Sequence, residues 1–239
     1  MTHKISPYLL GFLTILLVFA SQATESKLSD PRLISSKALR ARPPGDWKLK
    51  GLLTVIAGEE RISHNLNILY RFDETTGLIS RYEYVGADGR KQTIEVVYPF
   101  SGKPQVLDYD TGQALKEPHK NLLNSSFTPS DLSLDFLSWR KQKFIGSEEM
   151  KDRACYHIES ISQKEDGSPY HRVEAWIDEE YFAIMKSICY DAEGNVIKEF
   201  QIKSITIREG NYIPKRIELN EPLKKRRTIL EIVEAKKIA

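Results

Sequence analysis

The side chains able to do chemistry are few in this 239-residue chain, and they are scattered. His157 and His171 fall on neighbouring expected strands and could face one another across a hairpin. Two imidazoles with no obvious third partner fall short of the three or four ligands that zinc takes. Half-buried histidines are the simpler reading, and no metal is expected. The carboxylate pairs Glu59-Glu60, Glu148-Glu149 and Glu179-Glu180 each sit where a turn or strand end is expected, so solvated loops explain them. The densest charge run, Lys224-Lys225-Arg226-Arg227 beside Pro222, reads as a soluble hairpin end. Its functional alternative is contact with anionic lipid head groups or an acidic partner. No GxSxG, HExxH or CxxC is present, and no glycine loop of the phosphate-binding kind. Nothing in these residues argues for catalysis or for a cofactor.

The amino terminus addresses compartment. Lys4 precedes the uncharged apolar run Tyr8 to Ala20, and Ser21-Gln22-Ala23 places small residues at a cleavage site. The run is shorter than the roughly 20 apolar residues a spanning helix needs. Residues 1–23 are therefore expected to be a signal peptide cut after Ala23, leaving 24–239 as one soluble, exported, periplasmic domain. No cysteine lies near the cut, so no lipid anchor is expected. A formal charge of +2 offers no clustered basic surface for nucleic acid. With 41% hydrophobic and 28% charged residues, the composition suits a folded domain.

The elements that must carry any site are strands. In Arg61 to Phe72 the even positions Ile62, Leu66, Ile68, Tyr70 and Phe72 are apolar, and most odd positions are polar. Period two gives a strand one apolar and one wet face. Weaker strands are expected near 46–57, 78–86, 91–99, 104–109, 140–146, 153–161, 170–178, 183–191, 196–208, 212–220 and 227–235. Asp88-Gly89, Asp166-Gly167, Glu193-Gly194 and Glu209-Gly210 fall between them, which suits tight turns in a meander. Asp30-Pro31 opens a helix over 32–42, stopped by Pro43-Pro44-Gly45. Thr128-Pro129-Ser130-Asp131 opens a second, with Leu132, Phe136 and Trp139 on one face. In a meander Cys155 and Cys189 lie on the order of 20 Å apart, too far for a disulfide. Two free thiols are expected.

The order of these pieces resembles the LolA-like outer-membrane lipoprotein-sorting proteins. It runs from leader and capped helix through long amphipathic strands and the Phe127-Thr128-Pro129-Ser130-Asp131-Leu132 helix start. Ala154-Cys155-Tyr156-His157-Ile158-Glu159, Val173-Glu174-Ala175-Trp176-Ile177-Asp178, Tyr190-Asp191-Ala192-Glu193-Gly194-Asn195 and Tyr212-Ile213-Pro214-Lys215-Arg216-Ile217 follow. The resemblance implies a mainly β fold, an incomplete antiparallel barrel of about 11 strands with two short helices across its open mouth. It implies a lipid groove lined by Ile62, Leu66, Ile68, Tyr70 and Phe72, with Tyr82, Tyr84 and Tyr98 nearby, and a lid bearing Leu132, Phe136 and Trp139. The implied cargo is lipoprotein acyl chains or other lipid, handled by a monomer between inner- and outer-membrane sorting components. Periodicity alone favours a different outcome, a face packed as ordinary core in a non-catalytic envelope binding or assembly module.

Overall fold

A computed structural model describes residues 28–238. The expected signal peptide and its expected cut after Ala23 lie outside them. Helix α1 (Pro31–Arg40) begins where Asp30 Oδ1 accepts from the backbone N–H groups of Arg32 (2.9 Å) and Leu33 (3.4 Å), with Pro31 at the first helical position. Twelve strands follow. They are β1 (Asp46–Ala57), β2 (Glu60–Asp73), β3 (Gly77–Val85), β4 (Lys91–Tyr98) and β5 (Gln105–Asp108) in the first half. The second half has β6 (Lys141–Met150), β7 (Arg153–Ile161), β8 (Arg172–Asp178), β9 (Ile184–Tyr190), β10 (Val196–Arg208), β11 (Asn211–Glu221) and β12 (Arg226–Ile238).

All twelve form one antiparallel sheet in the order β5-β4-β3-β2-β1-β12-β11-β10-β9-β8-β7-β6. Each half is the meander that the turn residues predict. Type I′ turns need positive φ at both central residues, and Glu209 (φ 48°) with Gly210 (φ 74°) supplies it between β10 and β11. The β6–β7 turn does the same with Lys151 (φ 53°) and Asp152 (φ 60°), which no glycine marks. The halves join through β1 and β12, whose register sets Leu53 opposite Leu230. β5 and β6 are the free edges, so the sheet curls without closing. This is the incomplete barrel expected, with the twelve segments read as strands all paired in it, against the about 11 strands that the resemblance implies.

The segment between the free edges covers the gap. Helix α2 (Pro129–Ser133) packs on β4 and β5, while α1 packs on the 3₁₀ turn Asp135–Ser138 and on β6. One expectation is corrected here. The second helix does not continue to Trp139: Leu134 adopts a left-handed conformation (φ 53°) and splits it into a five-residue helix and that 3₁₀ turn. Ser133 Oγ donates to the Ser130 carbonyl (2.8 Å), one of the local bonds that compete with helix extension.

Register also places the two cysteines. Cys155 lies opposite Asp178, and Cys189 opposite Val173, five residues away along β8. That puts them on the order of 20 Å apart, beyond disulfide reach. Both are buried free thiols, and burial pushes the Cys155 thiol up to about 12.

Candidate functional site

The concave face of the sheet is built by alternate residues. Trp47, Leu49 and Leu53 of β1 stand beside Leu66 and Ile68 of β2, Tyr82 and Tyr84 of β3, and Ile94, Val96 and Tyr98 of β4. The second half contributes Tyr156, Ile158, Ala175, Ile177, Ile213, Leu219 and Leu230 to the same cluster. The groove side chains read from sequence separate along β2. Leu66 and Ile68, with Tyr82, Tyr84 and Tyr98, are buried in mid-barrel, and Tyr70 is partly buried. Ile62 and Phe72 lie at the two ends of the strand and are 44% and 52% exposed. Phe72 meets Phe100 edge-on at 6.0 Å.

The middle of the barrel is occupied by the chain itself. Leu122, Leu123, Phe127 and Leu132, all from the connection between β5 and β6, reach in against Leu53, Leu66, Tyr82, Tyr84 and Leu230. The space left among them is about 20 Å³, room for roughly one water. Phe136 and Trp139 continue this plug towards α1 and are themselves buried, their rings 6.4 Å apart. The plug is held by polar contacts at defined points. Asp131 is the centre of one set. Its Oδ2 accepts from Thr128 N (2.7 Å), Thr128 Oγ1 (2.8 Å) and Lys198 Nζ (2.7 Å), and its Oδ1 accepts from Tyr170 OH (2.6 Å). Lys198 is only 5% exposed, so this ion pair ties the plug to β10 through a dry interface. Tyr98 OH donates to the Leu132 carbonyl (2.7 Å), Thr228 Oγ1 accepts from Ser126 N (2.7 Å), and Arg226 donates to the Asn124 carbonyl (3.0 Å). Arg42 lies over the rings of Tyr98 (4.8 Å) and Tyr70 (5.8 Å). Burial raises the tyrosine hydroxyls of Tyr82, Tyr98 and Tyr170 above their ordinary value. Burial, with Asp131 nearby, lifts the Asp135 carboxyl to about 6.

The connection is strained as well as plugged. Leu123 (φ 52°), Asn124 (φ 56°) and Leu134 (φ 53°) hold left-handed backbone without being glycine, at about 1–3 kcal/mol each. Thirty-two residues separate Asp108 from Lys141 with little regular structure. Connections much longer than about 12–15 residues are uncommon in a compact fold and are usually either functional or linker segments, and this one is packed into the barrel.

The chemically suggestive residues lie elsewhere. His157 sits on the opposite face of the sheet, its Nδ1 2.7 Å from Glu148 and its Nε2 3.3 Å from Glu174, stacked on Trp176 at 4.2 Å. His171 is exposed beyond the start of β8 and does not face it. Part of the basic run is structural, since Lys224 and Arg226 both pair with the buried Glu221. Sequence reasoning found Asp131 as a helix cap but missed its pairing with Lys198 and Tyr170. It also missed Leu122, Leu123 and Arg42. The signal for the leucines was present, an apolar pair inside a polar connection, but nothing in the spacing shows which way a loop turns.

Among the described residues no helix is long and apolar enough to cross a membrane. A family model described as "Uncharacterized protein" matches residues 113–237, more than half of the chain. No curated protein matches by sequence. Solved structures of other proteins share the fold. A DUF1329 family protein from Desulfovibrio piger has a TM-score of 0.70 at 12% identity, over 87% of this chain and 91% of its own. A domain described as outer membrane lipoprotein-sorting protein, from Vibrio parahaemolyticus, scores 0.69 at 13% identity, over 86% and 91%. A LolA superfamily protein from Nitrosomonas europaea scores 0.62 at 18% identity, over 89% and 94%. The architecture is thus LolA-like.

Proposed function

We propose that this chain, which belongs to the family matched over residues 113–237 and has the LolA-like fold, is a non-catalytic carrier of acyl chains. Its cargo is lipoprotein acyl chains or other lipid, moved through the periplasm for outer-membrane lipoprotein sorting. The chain is exported by residues 1–23 and works from Thr24 onward as a single-domain monomer that meets inner- and outer-membrane sorting components. The observation that carries this reading is the plug. The barrel interior is filled by side chains of a long, strained connection at the sheet's open edge, rather than by side chains of the sheet alone.

The physics of cargo transfer fits. An acyl chain in water costs about 0.8 kcal/mol per methylene, so a soluble courier needs a dry surface that is itself covered when empty. Leu122, Leu123, Phe127 and Leu132 cover it here; moving them out exposes Leu53, Leu66, Tyr82, Tyr84 and Leu230 to cargo. The carrier's apparent affinity is lowered by the fraction of molecules whose plug is closed.

A second reading is favoured by one specific observation. A residual space of about 20 Å³ is what an ordinary packed core leaves, and a permanently plugged barrel would be a binding or assembly module that uses its surface. Titration of a fluorescent acyl ligand separates the two. Leu66→Glu places a charge at a site 8% exposed, costing several kcal/mol if unpaired. Asn65→Glu, one residue away, points to water. The carrier reading expects binding by wild type and by Asn65→Glu, and loss with Leu66→Glu under conditions where that variant still melts cooperatively. Absence of binding by folded wild type overturns the carrier reading and leaves the plugged barrel as a binding or assembly module.

A further inference from the structure

A second cavity lies outside the barrel, at the break between β5 and β6. It is a cleft of about 390 Å³ between α1, the loop at Gly102 and the segment entering β6, a size typical of small-molecule sites. Arg32, Ser36 and Arg40 recur every four residues along α1 and so share the face that lines it. Arg140 and Gln142 close the other side, and Leu39, Leu137 and Trp139 form a buried apolar floor. The lining holds three arginines and no carboxylate, in a chain whose basic and acidic residues number 35 and 33. Among the described residues none of the three arginines forms an ion pair. Arg32 donates to the Arg140 carbonyl (3.5 Å), and Arg40 to the Phe100 carbonyl (2.9 Å) and to Ser36 Oγ. Arg140 feels the Asp166 carboxylate, but Asp166 is already paired with Lys103 at 2.6 Å.

Three guanidinium groups around one cleft repel each other until an anion enters, and guanidinium forks match phosphate oxygens two at a time. We infer that this cleft binds a phosphate group, with the apolar floor accommodating whatever carbon the phosphate carries. The cleft opens outside the barrel, sharing only its floor residues Leu39, Leu137 and Trp139 with the core, and the inference does not depend on the carrier reading.

Isothermal titration calorimetry of the mature chain tests it with three probes: inorganic phosphate, monomeric dihexanoyl phosphatidylglycerol, and neutral dihexanoylglycerol. Phosphate and the phospholipid are expected to bind and the neutral lipid not to compete with them. Arg40→Gln/Arg140→Gln, both exposed sites, is expected to weaken phosphate binding at least tenfold with an unchanged melt. Asn65→Glu, at an exposed site on β2 that does not line the cleft, leaves it intact. Binding of the phospholipid without free phosphate assigns the site to a lipid head group; binding of both assigns it to phosphate in general. No binding of either, or equal binding by the double arginine variant, overturns the inference.

Discussion

Removing the Asp131 carboxylate with Asp131→Ala should unlatch the plug, and the cost can be built from its contacts. Asp131 completes the capping box of α2 by accepting from the N-cap residue Thr128, and loss of a cap interaction costs about 0.5–2 kcal/mol. It also neutralises Lys198, which is 5% exposed. Stranding one partner of a buried pair costs about 3–5 kcal/mol. Part of this is recovered if Lys198 swings out, so the expected loss is on the order of 3–5 kcal/mol in all. Lys198→Met behaves differently. It leaves Asp131 accepting from Thr128 N, Thr128 Oγ1 and Tyr170 OH, and it fills the space with apolar atoms. Its cost should be about 1–2 kcal/mol. The double variant has no stranded cation, so it should be more stable than Asp131→Ala alone. Urea unfolding gives the three stabilities, and amide exchange reports protection across residues 118–139. The reasoning fails if the two single costs simply add, or if Asp131→Ala costs under about 1 kcal/mol with that protection unchanged.

Four further outcomes are expected. Asp135 is held at about 6 against an ordinary 3.8, so the stability it contributes is full below about pH 4 and lost as pH rises through 6; Asp135→Asn should flatten the urea midpoint over that window. Gly77→Ala should lower the melting temperature clearly more than Gly89→Ala, because at φ +102° its Cβ would meet the Tyr98 carbonyl at 2.4 Å while Gly89 faces open space. Both cysteines should resist alkylation in the native protein and take two labels only after unfolding, read by intact mass; a mass two units below the reduced value would contradict the strand register. Amino-terminal sequencing of protein from the envelope fraction should begin at Thr24, and a retained Met1 in the membrane pellet would refute export by cleavage.

The strands and their order were legible because period-two alternation and paired turn residues act locally. Leu66 and Ile68 on one face, and Glu209-Gly210 as a turn, need no tertiary information. The Lys151-Asp152 turn carried no such mark, since it forces two non-glycine residues to positive φ. The α2 start was equally local, set by the cap Thr128 and Asp131. Its early end was not, because Leu134 turns left-handed while its neighbours pack inward. What stayed hidden was long-range. Lys198 reads as one more strand lysine until β10 is laid beside the plug, and Leu122 and Leu123 read as loop until the barrel curls around them. Ile62 and Phe72 show the limit of the pattern itself: alternation assigns a face but not how far along the strand that face is covered.

Native mass spectrometry of the chain, purified gently from its own envelope without detergent, tests the central claim most directly. The carrier account predicts a population with added mass corresponding to one acylated molecule, lost in Leu66→Glu and enriched in Asp131→Ala, whose plug is released. Wild type and Asp131→Ala both flying as bare protein, while Asp131→Ala exchanges freely across 118–139, would show an interior that opens and takes no lipid, and would contradict it.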